Sequence, residues 1–313
     1  MTGKYVVTGG AGFIGSAIVR SLLNAGASDV VVIDNLLTGH QKNLDEVRGR
    51  VRFHNADIRD YDAIAPIIRG ANVVFHEAAI PSVPRSIDDP IPSHDINING
   101  TFNVCRAAHE GKIRRLVYAA SSSAYGDSAV MPKVETMRPN PKSPYALQKL
   151  TGEYYLSVFA SCYGLETVSL RYFNVYGPRQ DPSSPYSGVL SLFIKAVLSR
   201  QAPTIFGDGQ TSRDFTYVED VAGLNLKAAT ADIAPGQVFN AGNGGRVTLN
   251  EAWRLLQKFE GVEIPPKFGP PRPGDVRDSQ ADTTLAVQQL GHDPKFSFEE
   301  GLRLTLEWYK SQL

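Results

Sequence analysis

A glycine-rich turn near the N-terminus constrains the fold of this chain more than any other feature. Residues 5–8 form a short β-branched run, and glycines follow at positions 9, 10, 12 and 15, before a segment with helical apolar spacing. Gly10, Gly12 and Gly15 match the G-x-G-x-x-G pattern, and Gly9, Gly12 and Gly15 match its G-x-x-G-x-x-G variant. Such glycines allow a tight turn and close approach of the backbone to a pyrophosphate at a helix N-terminus. The sequence therefore predicts a strand, a turn and a helix that bind a dinucleotide.

A carboxylate follows at the spacing that this motif needs. A second apolar run, residues 30–33, ends in Asp34, which lies 19 residues after Gly15. An acid at this place accepts hydrogen bonds from ribose hydroxyls and repels a 2′-phosphate. A tight turn with an unrelated surface acid is the alternative, but strand, glycines, helix and acid in one register favour NAD as the cofactor.

Four more apolar runs continue the alternation of strands and helices. We predict strands at residues 51–55, 72–75, 115–120 and 166–172, and helices at residues 60–69 and 93–110. The repeated βαβ order predicts an α/β fold with a doubly wound, Rossmann-type, mainly parallel sheet. Residues 80–91 contain three prolines and are predicted to be a loop over the ligand edge.

The C-terminal part is predicted to form a smaller, loop-rich substrate lobe. Composition shifts to proline, glycine and serine after residue 178, and residues 214–242 look like a return to the sheet. We assign residues 1–177 and 214–242 to the cofactor domain, and residues 178–213 and 243–313 to the lobe. Capping boxes at Thr248-x-x-Glu251 and Ser297-x-x-Glu300 predict two helices of the lobe.

Charge and cysteine content exclude several classes of function. Lys+Arg and Asp+Glu are both 32, and the chain has no basic run, so neither nucleic acid nor an anionic membrane is an expected partner. No apolar stretch approaches the ~20 residues that span a bilayer. Two cysteines, Cys105 and Cys162, and no apolar leader predict a reduced, cytoplasmic protein. No metal site is predicted.

A tyrosine and a lysine four residues apart supply candidate catalytic groups. Ser143 is a plausible N-cap and Pro144 suits the first helical position, so Tyr145 and Lys149 project from one face of a helix. An ammonium beside a phenol favours the phenolate, which can act as a general base. Ser121 ends the strand at residues 115–120 and brings a hydroxyl to the ligand edge of the sheet.

These motifs together resemble the extended short-chain dehydrogenase/reductase family. The resemblance is carried by the glycine turn, Asp34, Asp57-Ile58, Asn99, Ser121, Tyr145-x-x-x-Lys149 and residues 171–178, and it extends over nearly the whole chain. Within the family the chain is most similar to UDP-hexose 4-epimerases, including those that accept N-acetylated sugars. The resemblance implies interconversion of UDP-glucose and UDP-galactose, and of their N-acetylated counterparts, by transient oxidation at C4 with tightly bound NAD. It also implies a homodimer formed through the helices at residues 93–110 and 144–164.

The same resemblance implies a set of site residues. Tyr145 would act as the base, Lys149 would lower the pKa of Tyr145 and bind ribose, and Ser121 would hydrogen-bond the 4-oxygen. The implied cofactor contacts are Gly9, Gly12, Phe13, Ile14, Gly15, Asp34, Asn35, Asp57, Ile58, Ala78, Ala79, Asn99, Tyr145, Lys149 and Tyr172. The implied substrate contacts are Ser82, Arg85, Ser122, Ser123, Asn174, Val189, Phe206, Arg213, Arg272, Asp275 and Ser279. Asp57 could instead cap the next turn, and Ser82 and Arg85 could be ordinary surface residues.

Two other functions share the cofactor motifs. Nucleotide-sugar dehydratases place an Asp-Glu pair just after the catalytic hydroxyl residue, and UDP-glucuronate decarboxylases usually place a Glu there. This chain has Ser122 and Ser123, which cannot act as acid or base near neutral pH, so an epimerase is favoured over a lyase. A non-enzymatic NAD-sensing protein is the third possibility, but such proteins commonly lack the tyrosine and the lysine.

Overall fold

Seven strands build one parallel sheet at the centre of the molecule. The computed structural model describes residues 2–181, 188–270 and 276–312. The strands of this part of the chain are β1 (Lys4–Thr8), β2 (Asp29–Asp34), β3 (Val51–Asn55), β4 (Val73–His76), β5 (Arg115–Ser121), β6 (Glu166–Tyr172), β7 (Asn174–Tyr176), β8 (Thr204–Phe206), β9 (Ser212–Arg213), β10 (Phe215–Tyr217), β11 (Gln237–Ala241), β12 (Val247–Thr248) and β13 (Lys267–Gly269). The sheet order is β11-β6-β5-β4-β1-β2-β3, with every neighbouring pair parallel.

Helices cover both faces of this sheet. The helices of the described residues are α1 (Phe13–Asn24), α2 (Tyr61–Ile68), α3 (Val83–Asp88), α4 (Pro90–His94), α5 (Thr101–Glu110), α6 (Pro144–Tyr163), α7 (Val189–Leu198), α8 (Val218–Thr230), α9 (Leu249–Glu260), α10 (Thr284–Leu290) and α11 (Phe298–Lys310). Strand side chains alternate between two cores: Val7 packs with α1 and α8, whereas Val6 packs with α2, α5 and α6. The predicted doubly wound Rossmann-type fold is confirmed.

The lobe is a separate layer with its own core. Helices α7, α9 and α11 enclose a third apolar cluster that includes Phe193, Trp253 and Leu302. Three two-stranded sheets, β7 with β10, β8 with β13 and β9 with β12, complete it. Thr248 opens α9 with the predicted capping box, and Ser297 caps α11 by accepting from the Glu300 amide. Of the strands in residues 214–242, only β11 joins the main sheet.

The prediction of a loop at residues 80–91 is wrong. Two short helices, α3 and α4, occupy most of this segment. Each has a proline in its first turn, where the missing N–H would have no helical acceptor, so proline starts these helices instead of breaking them. The following helix also differs from the prediction, because α4 and α5 are joined by a π-helical segment, Asp95–Gly100, which gives one helical path from Pro90 to Glu110.

The core beneath the sheet edge contains a buried histidine, the last residue of β4. His76 is fully buried between the hydroxyls of Thr8 and Thr101, at 2.7 and 3.0 Å, and is a core residue, as expected from its position in β4. In the part of the chain that the structure describes, every helix is too short or too polar to cross a bilayer.

Candidate active site

The glycine turn leaves a cradle that a side chain would fill. Gly9 has a φ of +68°, and a Cβ on it would lie 2.6 Å from the amide nitrogen of Ala78. A Cβ on Gly15 would lie 2.2 Å from the Gly9 carbonyl oxygen. The turn therefore packs directly against the segment after β4 and against its own helix. Phe13 and Ile14 begin α1 and pack on the core behind the turn. The exposed amide groups at this helix N-terminus suit the pyrophosphate of a dinucleotide.

Asp34 stands at the end of β2 beside this turn. Its two carboxylate oxygens accept from the amides of Ala11, at 2.9 Å, and Leu36, at 2.8 Å. Burial raises the pKa of Asp34, and these two hydrogen bonds oppose the effect. The carboxylate is thus fixed by backbone donors, with lone pairs left for ribose hydroxyls.

A second acidic cluster follows β3. Asp57 accepts from Asn35 at 2.8 Å and from the guanidinium of Arg59 at 2.8 Å, and the hydrogen bond from Arg59 lowers the pKa of Asp57 to about 2. Arg59 also reaches Asp95, which accepts from Asn99 at 2.9 Å. Asp57 also accepts from the Arg59 amide at 2.9 Å and so caps the following turn, and its expected contact with the cofactor stays a prediction. Ile58 packs against Gly100, where a Cβ would lie 2.6 Å from the Ile58 side chain.

The predicted catalytic hydroxyls meet at the carboxyl end of β5. Ser121 Oγ accepts from both the amide, at 3.2 Å, and the hydroxyl, at 2.8 Å, of Ser123. Ser121 also shares a side-chain hydrogen bond with the phenol of Tyr145. Burial raises the pKa of Tyr145, and the hydrogen bond from Ser121 lowers it. Ser122 and Ser123 lie in a 3₁₀ turn, Ser122–Tyr125, which brings Ser123 into contact with Ser121.

Lys149 lies one turn after Tyr145 and is buried. Its ammonium donates to the Ala119 carbonyl at 2.8 Å and lies 4.9 Å from the centre of the Tyr118 ring. Burial lowers the pKa of Lys149 to about 8, whereas the carboxylates of Glu77 and Glu153 raise it. In this structure, the contact that lowers the pKa of Tyr145 is the hydrogen bond from Ser121. The expected lowering of that pKa by Lys149 therefore stays a prediction.

A carboxyl group that sequence reasoning missed lies at the same edge. Glu77 is the first residue after β4, and its Oε1 accepts from the hydroxyl of Tyr172 at 2.8 Å. Asn225 on α8 donates to that hydroxyl at 2.7 Å. Burial raises the pKa of Glu77 to about 7, opposed by the Tyr172 hydrogen bond and by the charge of Lys149. No short-range pattern connects these residues, since they come from different thirds of the chain.

A buried ion pair fastens α6 to the sheet. Glu153, two turns after Tyr145, accepts from Arg171 of β6 at 2.9 and 2.7 Å, and both side chains are at most 4% exposed. Arg171 also lies over the Tyr125 ring, 4.6 Å from its centre. The i, i+4, i+8 spacing of Tyr145, Lys149 and Glu153 could have revealed this third residue.

The segment after Ala78 and Ala79 closes over the start of α6. Ser82 is buried and its hydroxyl accepts from the Arg85 amide at 3.2 Å, so it caps α3. Arg85 lies half-buried in the first turn of α3, and Ser86 accepts from the amide of Tyr145 at 3.1 Å. The hydrogen bond from the Tyr145 amide to Ser86 therefore positions Tyr145 against this segment.

Several of the predicted substrate contacts lie in the lobe, the second wall of the proposed site. Asn174 opens β7, and Ser279 donates to its side-chain oxygen at 3.4 Å. Arg213 holds the carbonyls of Ser212 and Arg277 at 2.9 and 3.0 Å. Two apolar contacts lie at element ends, Val189 at the start of α7 and Phe206 at the end of β8, and Arg272 and Asp275 lie outside the described residues.

Comparisons with known proteins assign the chain to a family. The model of the NAD dependent epimerase/dehydratase family matches residues 5–242. A UDP-glucose 4-epimerase of Mycolicibacterium smegmatis is 38% identical over 313 residues, which cover 99% of each chain. A UDP-N-acetylglucosamine 4-epimerase structure from Methanobrevibacter ruminantium, in complex with UDP-N-acetylmuramic acid, is 38% identical, with a TM-score of 0.95 and 99% of each chain covered.

A third similar protein was solved with the cofactor. The UDP-glucose 4-epimerase of Thermus thermophilus, in complex with NAD, is 37% identical, with a TM-score of 0.90 over 99% of this chain and 100% of that one. The glycine cradle and the buried Asp34 fit the same group here. The chain is an NAD-dependent enzyme related to UDP-sugar 4-epimerases, and it belongs to the NAD dependent epimerase/dehydratase family.

Proposed function

We propose that this protein interconverts UDP-glucose with UDP-galactose, and UDP-N-acetylglucosamine with UDP-N-acetylgalactosamine. The observation that carries the proposal is the convergence of Ser121, Tyr145 and Lys149 at one edge of the sheet, with hydroxyls and no carboxylate at positions 122 and 123. NAD, when bound, would supply oxidation and reduction at C4 of the sugar. Tyr145 holds and returns the proton of the 4-hydroxyl, and Ser121 orients that hydroxyl.

The serine pair separates this proposal from a lyase. Elimination of water needs an acid and a base placed beside C5 and C6, and neither Ser122 nor Ser123 can supply them. Ser123 instead donates to Ser121 at 2.8 Å. An NAD-sensing role would leave Tyr145 and Lys149 without a task, although both lie at the ligand edge.

Acceptance of N-acetylated sugars rests on Ser279. A small residue there leaves room beside C2 of the sugar, whereas a tyrosine would fill it. Ser279 is half-buried and its hydroxyl lies 3.4 Å from Asn174, which is itself an expected contact of the UDP portion. Arg213, together with Arg272 of the undescribed segment, would bind the diphosphate. We keep the proposal that residues 1–177 and 214–242 bind the cofactor and that residues 178–213 and 243–313 bind the sugar nucleotide, except that β7 and β10 belong to the lobe by their packing.

Product analysis tests the proposal. The protein is incubated separately with UDP-glucose, UDP-N-acetylglucosamine and UDP-glucuronate, and the products are separated and identified. We expect the 4-epimers of the first two substrates. A stable 4-keto or decarboxylated product would assign a lyase, and unchanged substrates with NAD retained would assign a sensing role. Conversion of UDP-glucose alone would restrict the proposal to the plain hexose.

The assembly that we propose is a homodimer in the cytoplasm. Apolar side chains stand exposed on the outer surfaces of α5 and α6, where Phe102, Leu147, Tyr154 and Val158 are 40–57% exposed. A second copy packing on this face would cover them. Sedimentation equilibrium is expected to give twice the chain mass, and Tyr154→Glu is expected to shift the protein toward the monomer. A monomeric wild-type protein would refute the dimer.

A further inference from the structure

Glu77 occupies a place where its charge can act on the cofactor. It follows β4 directly, its amide donates to the Thr8 carbonyl at 3.1 Å, and the next residue, Ala78, touches the glycine turn. Its carboxyl group is held by Tyr172, the last residue of β6, which is in turn held by Asn225. The chain of hydrogen bonds from Asn225 of α8 through Tyr172 of β6 therefore fixes the Glu77 side chain between the glycine turn and α6.

A carboxylate at this edge would balance the positive charges that meet there. Lys149 brings one positive charge, and if the proposed function holds, an oxidised nicotinamide that reacts with the same alcohol as Tyr145 would bring another. Glu153 is neutralised by its two hydrogen bonds from Arg171. Glu77 is the stronger of the two carboxylates that act on Lys149. With a phenolate at Tyr145 and an ionised Glu77, the four charges sum to zero.

We propose that Glu77 is the counter-charge for the oxidised nicotinamide and for Lys149, and that it sets the preference of the site for NAD over NADH. Nicotinamide is a cation when oxidised and neutral when reduced. A fixed carboxylate nearby stabilises the oxidised ring selectively, because opposite charges several ångströms apart interact strongly in a partly buried site. The remainder of the cofactor is identical in both forms, so it does not contribute to this preference.

The charge of Glu77 varies near neutral pH. Burial raises its pKa to about 7, and the titratable or charged groups that face it are Lys149 and Tyr145 of α6 and Tyr172 of β6. His76, the neighbouring residue, has its pKa lowered to about 3 by burial and stays neutral. The preference for the oxidised cofactor should therefore be full above the pKa of Glu77 and decline as the pH falls through it.

Binding of the two cofactor forms tests the proposal without any sugar, so its outcome is separate from that of the proposed function. Apo-protein is titrated with NAD and with NADH, and the ratio of the two dissociation constants is compared for wild type, Glu77→Gln and Glu77→Asp. We expect Glu77→Gln to move the ratio toward NADH about tenfold, equivalent to about 30 mV for a two-electron couple. Glu77→Asp keeps the charge and should restore most of the wild-type ratio.

Two further variants make the result decisive. Tyr172→Phe removes the donor that keeps Glu77 ionised, so it should move the ratio in the same direction by less, and it replaces Glu77→Gln if that variant does not fold. Glu166→Gln removes a carboxylate from the first residue of β6, roughly 20 Å from Tyr172 along the strand, and should leave the ratio unchanged. An unchanged ratio in Glu77→Gln, or an equal change in Glu166→Gln, would overturn the proposal.

Discussion

The two walls of the site are built in different ways. At the sheet edge, Lys149, Glu153 and Arg171 are each about 4% exposed or less, and each is held by a hydrogen bond to a buried group. The lobe wall includes short two-stranded sheets, and Ser279 and Arg213 there are half-buried; Ser279 donates to the Asn174 side chain, and Arg213 donates to two backbone carbonyls. Rigidly held side chains suit proton and hydride transfer, which require precise geometry. The shape of a wall made of short strands can be altered by substituting only a few residues. We therefore expect substitutions at the sheet edge to affect turnover or stability, and those in the lobe to affect the choice of sugar.

The largest expected effect is on turnover. Tyr145→Phe removes the proton acceptor and keeps the bulk of the side chain, so we expect the rate to fall about a hundredfold to ten-thousandfold on every substrate, with NAD still bound. Each tenfold loss corresponds to about 1.4 kcal/mol of activation free energy. Turnover numbers and the cofactor content of the purified variant give the measurement. If turnover stays near the wild-type value, Tyr145 is not the base.

The second prediction concerns the anchoring of α6. Glu153→Gln leaves the guanidinium of Arg171 buried without a carboxylate, and we expect the free energy of unfolding to fall by about 3 to 5 kcal/mol. Glu307→Gln, in the exposed pair with Arg303 on α11 of the lobe, is the matched control and should cost no more than ~0.5 kcal/mol. Denaturant unfolding measures both variants. Equal losses in the two variants would remove the contrast between the walls.

The smallest expected effect is a change in selectivity between the plain and the N-acetylated sugars. Ser279→Tyr should reduce activity on the N-acetylated pair about 10- to 200-fold, because crowding in a packed pocket costs about 1 to 3 kcal/mol. Activity on UDP-glucose in the same variant is the internal control and should be largely kept. The ratio of kcat/KM for the two substrates is the measurement. A parallel loss on both substrates would show that Ser279 affects the whole wall and does not gate C2.

Sequence patterns were informative where a few neighbouring residues carry the function. The glycine turn, Asp34 and the Tyr145–Lys149 spacing each lie within one strand, turn or helix, and the structure places them at one edge of one sheet. Residues 80–91 were mispredicted, because proline blocks the interior of a helix but not its first turn. Glu77 and Asn225 were missed, because nothing in their local sequence shows that they share a hydroxyl of Tyr172.

The sequence by itself determined the parallel sheet, the preference for NAD and the proposed catalytic pair, since strand and helix periodicity and fixed spacing are local properties of the chain. Only the tertiary structure decided which groups act on that pair. The hydroxyls of Ser121 and Ser123, the carboxyl group of Glu77 and the Glu153–Arg171 pair surround Tyr145 and Lys149 because parallel strands bring residues far apart in the chain to the same edge. Burial at that edge raises the pKa values of Tyr145 and Glu77 and lowers that of Lys149, and burial is a property of the folded molecule.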